Sequence, residues 1–164
     1  MIEVRPFQDD DWPALWRVLE PVFRAGETYP YPPDLSAQEA RRLWIDVPQT
    51  TYLAVEPAGH IIGSYYLKPN QPELGAHVCN CGYVVDQQAR GRGVASRLCA
   101  HSLDAARSMG YRAMQFNLVV STNEAAVRLW KRHGFELVGT LPGAFQHPRL
   151  GDVDAYVMYQ RLLA

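Results

Sequence analysis

The sequence predicts an α+β fold in which one mixed, largely antiparallel sheet carries helices on its faces. Three observations lead there. Apolar runs rich in β-branched and aromatic residues, Thr51 to Glu56 and Ile61 to Leu67, are joined by the hairpin signal Pro57-Ala58-Gly59-His60. A later strand passes into an apolar-periodic helix through a glycine-bearing turn, within Cys81 to Met109. At 164 residues and 48% hydrophobic composition the chain can bury a proper core, and without repeats or linkers it is expected to form one domain over residues 1–164.

Taken in order, Ile2 to Arg5 alternates apolar and charged residues and reads as the first strand. Asp9, Asp10 and Asp11 are candidate N-caps for a helix with Pro13 in its first turn and an apolar face of Leu15, Val18, Leu19, Val22 and Phe23. Gly26 ends it, and Ser36-x-x-Glu39 is a capping box that opens a second helix through Leu43, Trp44 and Ile45. The second and third strands are the hairpin already named, and Lys68 to Gly75 is a polar loop. Ala76 to Val85 is the fourth strand, and the central helix runs from Ala95 through Leu98, Cys99, Leu103 and Ala106. Ala113 to Val120 is a fifth strand, Asn123 to His133 a helix, Phe135 to Thr140 a sixth strand and Ala155 to Leu162 a seventh. The expected order is βααββββαβαββ.

Composition narrows the function. The net charge is −1 with both signs interspersed, so no basic face for nucleic acid or an anionic membrane is implied. The N-terminal residues lack a signal-peptide core and no apolar run is long enough to span a bilayer, which makes a cytoplasmic protein the expectation. Three cysteines without a secretory signal point to reduced thiols.

The most informative stretch is Arg90-Gly91-Arg92-Gly93-Val94-Ala95, between strand and helix. Glycine there lets the backbone approach a ligand, and the helix start offers unpaired N–H groups and a positive dipole end. That combination binds phosphate, and the arginines beside Gly91 suit a pyrophosphate. It is neither a P-loop nor a dinucleotide fingerprint, because Ser96 stands where the latter wants glycine. Arg-x-x-Gly-x-Ala, Arg90 to Ala95, resembles the acetyl-CoA pyrophosphate loop of the GNAT superfamily of N-acetyltransferases. The block from Asn123 through Leu129 and Trp130 to Gly134-Phe135 is similar to that superfamily's next helix and its exit.

The resemblance implies a GNAT-type acyltransferase fold, acetyl-CoA as cosubstrate, and direct attack of an amine on the thioester through a tetrahedral intermediate. It gives Tyr83, Val84 and Val85 the pantetheine arm through their main chain, Arg90 to Ala95 the pyrophosphate, and Asn123 and Trp130 places near the thioester. Such chemistry needs oxyanion donors, a route for the amine proton and a group at the leaving thiolate. Fourth-strand N–H groups answer the first need. The chain departs from the superfamily in two places: that strand carries no Glu or Asp, and Trp130 stands where a tyrosine acid is frequent. A water relayed through Asn80, with Glu27 or His77 as terminal acceptor, is the expected proton route. Asn123, also a good helix cap, is expected near the sulfur.

Asn80, Asn117, Asn123 and Gly26-Glu-Thr-Tyr-Pro together resemble the yeast-type N-acetyltransferases that act on azetidine-2-carboxylate and related imino acids. This gives Asn80 and Asn117 substrate or water contacts and makes a small-molecule amine the expected partner, with a homodimer expected by analogy. Glu27, Tyr29 and Tyr31, on a proline-stiffened loop, have two open readings: packing of a helix connection, or lining of the acceptor pocket. A metal is not expected, because alternate residues His77, Cys79 and Cys81 lie roughly 6.6 Å apart along a strand, too far to converge on zinc. Two other functions stay open: acetylation of a protein amine, and a non-catalytic acyl-CoA-binding module.

Overall fold

The computed structural model describes residues 1–163. Its strands are β1 (Glu3–Pro6), β2 (Thr50–Val55), β3 (Ile61–Pro69), β4 (Val78–Val85), β5 (Ala113–Val120), β6 (Glu136–His147) and β7 (Gly151–Arg161). Its helices are α1 (Trp12–Ala25), α2 (Ala37–Arg41), α3 (Val94–Ser108) and α4 (Glu124–Arg132). The sheet runs β1-β2-β3-β4-β5-β7-β6 and every neighbouring pair is antiparallel except β4 with β5. The α+β class and the single mixed, largely antiparallel sheet are therefore as expected. The order is βααβββαβαββ, the seven strands named from the sequence and one fewer than the string βααββββαβαββ contains; the polar stretch after β3 is a loop as expected, with Pro72 and a single 3₁₀ turn, Glu73–Gly75.

Each face of the sheet carries its own core. Leu98, Cys99, Leu103 and Ala106 of α3 pack with Leu129 and Trp130 of α4 on one face. Leu15, Val18, Leu19 and Phe23 of α1, with Ala40 and Trp44, cover the other. Strand alternation divides β4 between them: Cys79 and Cys81 join the α3 core, and Val84 joins the α1 core.

Local chemistry departs from expectation at both early helix starts. Asp9–Asp11 forms a 3₁₀ turn, and Asp11 does not cap α1. Its carboxylate instead accepts two hydrogen bonds from the Arg5 guanidinium, at 2.8 and 2.9 Å, and one from the Gln8 N–H at 2.8 Å. The capping box at Ser36 is half formed: Ser36 Oγ accepts from the Glu39 N–H at 3.1 Å, while the Glu39 carboxylate is held by Arg42. After α2 the chain widens into a π turn, Arg42–Asp46, which swings Trp44 fully into the core. There its Nε1 donates to Ser64 Oγ at 2.9 Å. Strands β6 and β7 extend further than their apolar runs because they pair with each other out to His147 and Gly151. No helix among the described residues is long and apolar enough to cross a membrane.

Candidate active site

The parallel partnership of β4 and β5 is brief. Only Val78 with Ala113 and Cys79 with Met114 are paired, after which the strands part and β5 is irregular between Phe116 and Val119. Asn80 sits at the point of parting. Its Nδ2 donates to the Gln115 carbonyl of β5 at 3.0 Å, and its Oδ1 accepts from the Tyr66 hydroxyl at 3.3 Å. The amide thus bridges the strands as the ladder ends, and it is 8% exposed. A water-positioning role would use only the remaining N–H and lone pair.

Beyond Asn80, alternation decides which main-chain groups of β4 are free. Asp86 N–H donates to the Ile62 carbonyl and Asn70 N–H to the Val78 carbonyl, so the even-numbered residues of β4 spend their peptide groups on β3. Arg112 N–H donates to the His77 carbonyl, so the odd-numbered ones face β5. Where β5 has left, Cys81, Tyr83 and Val85 present an open edge. Val84, expected among the main-chain donors to the arm, instead turns its peptide groups to β3 and its side chain into the α1 core.

That edge ends in the glycine turn. Gly91 and Gly93 sit at φ +77 and +78, and a Cβ on either would meet nothing within 4 Å. The positive φ asks for glycine, and the space above the turn is open to a ligand. The first α3 bond is Arg97 N–H to the Gly93 carbonyl at 3.0 Å, which leaves the N–H groups of Val94, Ala95 and Ser96 without helical acceptors. The Val94 side chain itself is buried beneath α3. Of the two arginines, Arg92 is drawn to Glu56 of β2–β3 at 3.3 Å, while Arg90 has no carboxylate within 4.0 Å among the described residues. An acyl-CoA fits these features: an extended polar arm along an open strand edge, and a pyrophosphate at a helix start.

Between the parted strands lies a cleft of about 340 Å³, lined from β3, β4, β5, α4 and the loop Thr28–Tyr31. Tyr29 and Tyr31 stack at 5.5 Å and both meet Phe23 edge-on. They both pack the helix connection and line the cleft. The Tyr29 hydroxyl donates to the Tyr83 carbonyl at 2.8 Å, fastening the loop to the open edge. Trp130 forms the opposite wall, buried against Tyr83 at 4.7 Å and Phe116 at 5.1 Å. Asn117 and Asn123 also line the cleft. Asn123 stands at the N-cap of α4 but makes no side-chain cap bond, so its amide is left for the cleft. Asn117 is exposed, donates to Asn70 Oδ1 at 2.7 Å and accepts from Gln115 Nε2 at 2.9 Å.

The expected proton acceptors lie elsewhere. Glu27 turns outward to Arg149 at 3.6 Å and is not part of the lining. His77 precedes β4, exposed, on the closed side of the strand fork. No carboxylate or imidazole among the described residues lines the cleft. Burial pushes the phenols of Tyr29, Tyr31 and Tyr66 up, and Tyr83 likewise, its hydroxyl lying 2.5 Å from Ser102 Oγ on the α3 side. Burial raises all three thiols, Cys79 and Cys99 to about 12 and Cys81 well above its ordinary value, so none is a ready nucleophile.

Gly82 was not singled out in the sequence. A Cβ there would come within 2.4 Å of the Tyr66 ring, so its absence lets Tyr66 lie across β4 and reach Asn80. Tyr66 is held from behind by Trp44, edge-on at 4.8 Å. Only the β3–β4 register reveals this arrangement.

The acetyltransferase (GNAT) family model matches residues 12–135. The structure is similar to a GCN5-related N-acetyltransferase from Kribbella flavida, with TM-score 0.93 and 44% identity over 98% of this chain and 97% of the other. The sequence is 33% identical over 131 residues to the L-amino acid N-acetyltransferase AaaT of Escherichia coli, covering 79% of this chain and 77% of that one. It is 28% identical over 148 residues to the N-acetyltransferase aca1 of Schizosaccharomyces pombe, covering 80% and 71%.

Proposed function

The chain belongs to the acetyltransferase (GNAT) family, whose cosubstrate is acetyl-CoA, and from that premise we propose that it acetylates the amine of a small amino or imino acid, azetidine-2-carboxylate among the candidates. The observation that carries this reading is the shape of the acceptor end. The cleft is about 340 Å³ and is roofed by Thr28–Tyr31, a loop bonded to β4 through Tyr29. A cleft of this size, covered on one side and lined by aromatic rings with a few polar groups, suits a small molecule. The amino-acid substrate in the name of the Escherichia coli relative supports the same class.

Acetyl-CoA supplies an activated thioester carbonyl; the residues here orient it and receive the amine. Arg90 and the N–H groups opening α3 hold the pyrophosphate. The main chain of Tyr83 and Val85 pairs with the arm. The Cys81 N–H, aimed into the cleft, is the donor for oxyanion charge. Asn80 fixes the fork at which this happens, and Asn123 offers its amide near the sulfur. With no thiolate at hand, the amine attacks the thioester directly, without an acetyl-enzyme. With no carboxylate or imidazole in the lining, it arrives neutral and its proton leaves through water.

The test is release of CoA thiol with azetidine-2-carboxylate, cis-4-hydroxyproline, a set of L-amino acids, polyamines and lysine peptides. Turnover concentrated among the amino and imino acids is expected. Turnover of lysine peptides alone would overturn the small-molecule reading.

A further inference from the structure

Resting on the small-molecule reading, we propose that Lys68 is the specificity-determining residue of the acceptor site, and that it selects acceptors carrying a carboxylate beside the amine. Among the described residues that line the cleft, Lys68 is the only one of formal charge. It stands directly opposite Asn80 in the β3–β4 register. Directly opposed residues share a face of the sheet with Cβ atoms about 5 Å apart. The ammonium is therefore placed beside the fork between β4 and β5.

Two further observations point to an anion. The Lys68 Nζ lies 5.4 Å from the centre of the Tyr66 ring, and that ring is fixed by Trp44 and Gly82. The ring holds the ammonium over the cleft without neutralising it, and among the described residues no carboxylate lies within 4.0 Å of it. The other polar side chains of the lining are neutral hydroxyls and amides: Thr28, Tyr29, Tyr31 and Tyr66, with Asn80, Asn117 and Asn123. One cation among neutral donors, with no acid, is complementary to a carboxylate. A purely structural lysine would be satisfied by its aromatic contact and would leave acceptor choice unchanged. The same positive charge disfavours an ammonium in the cleft, and so favours the neutral amine that attacks.

The experiment is steady-state kinetics of wild type, Lys68→Met and Lys68→Arg on three acceptors. These are the amino or imino acid turned over best, its carboxamide and its decarboxylated amine, with the acetyl-CoA KM and Tm measured alongside. Wild type is expected to prefer the acid over the carboxamide by about 10- to 100-fold in kcat/KM, the range of a charge-assisted hydrogen bond. In Lys68→Met the preference should collapse to about 3-fold or less, mainly through acceptor KM, with acetyl-CoA KM and Tm unchanged; Lys68→Arg should restore part of it. Equal preference in wild type and Lys68→Met overturns the assignment of Lys68 and leaves the small-molecule reading standing. A wild type that acetylates a lysine peptide and none of the three acceptors overturns that reading, and the role of Lys68 with it.

Discussion

The two ends of the cleft are built differently. The proposed donor end is almost entirely main chain: the open edge of Cys81, Tyr83 and Val85, a turn with two glycines at positive φ, and the uncapped start of α3. The proposed acceptor end is made of side chains from separate elements: Tyr29 and Tyr31 from the α1–α2 loop, Tyr66 and Lys68 from β3, Asn80 from β4 and Asn117 from β5. A backbone site requires a conformation, which one short contiguous stretch can specify. A side-chain site requires a register among distant stretches, and it can change its ligand while the fold stays the same.

The largest expected effect breaks the donor end alone. Gly93→Asp places a carboxylate where a pyrophosphate is to sit and a Cβ at φ +78. Acetyl-CoA affinity should fall by about 100-fold or more, since a like charge replaces a helix-start anion site. Far-UV circular dichroism and cooperative melting should persist, because that Cβ meets no neighbour within 4 Å. Isothermal titration with acetyl-CoA reads this; unchanged affinity would remove the pyrophosphate from the turn.

That contrast also explains what was legible. Arg90 to Ala95 and the Gly134-Phe135 exit are local, and the order of elements followed from periodicity and turn residues. The expectation for Val84 failed because it treated three successive residues as equivalent, whereas a strand spends alternate peptide groups on alternate neighbours. Glu27 was reasonable by type and position in the loop, but its direction depends on Arg149, at the far β6–β7 turn. Asn80 was singled out by resemblance, while its bridge to the Gln115 carbonyl depends on where β5 leaves β4. Tyr66, Gly82 and Lys68 gave no signal along the chain, because their meaning lies in the pairing of β3 with β4.

The second test separates the two ends by pH. Among the described residues the lining holds no carboxylate or imidazole, and burial pushes its phenols up, so none of these supplies a base near neutrality. The amine must lose its own proton first. Acceptor kcat/KM should rise about tenfold per unit from roughly pH 6 to 8 with unit slope, as expected for one ionisation on the substrate. The acetyl-CoA binding constant should stay nearly flat over that range. A bend near pH 6 to 7 in the acceptor profile would instead reveal a titrating base on the enzyme.

Asn80→Ala sharpens the boundary between the ends, because Asn80 belongs to β4 yet acts through its side chain. It should lower kcat by about tenfold through loss of positioning at the fork, and leave acetyl-CoA affinity within about threefold. The lost bonds to Gln115 and Tyr66 leave buried partners, so a destabilisation of about 1–2 kcal/mol should accompany it. Asn80→Asp is not a conservative substitute here, since it would lose the donor to the Gln115 carbonyl. Wild-type kcat in Asn80→Ala would exclude any part of this amide in the reaction.

The smallest effect lies outside both ends. The Arg5 hydrogen bond holds the Asp11 carboxyl below its ordinary value, with burial opposing and the Gln8 N–H adding to the lowering. A carboxyl depressed in the folded state stabilises above its unfolded pKa, about 3.9, and loses that contribution as pH falls through the lower folded value. The pair is 30% and 14% exposed at its side chains, so solvent screens part of it. Asp11→Asn should therefore cost about 1 kcal/mol at pH 7, a fall of about 2–4 °C in Tm, and the gap from wild type should close towards pH 2. Both KM values should be unchanged, because neither the open edge of β4 nor the Lys68 side of the cleft is built from this pair. A shift in acceptor KM alone would show that the entry to α1 sets the position of the Tyr29–Tyr31 roof at its other end.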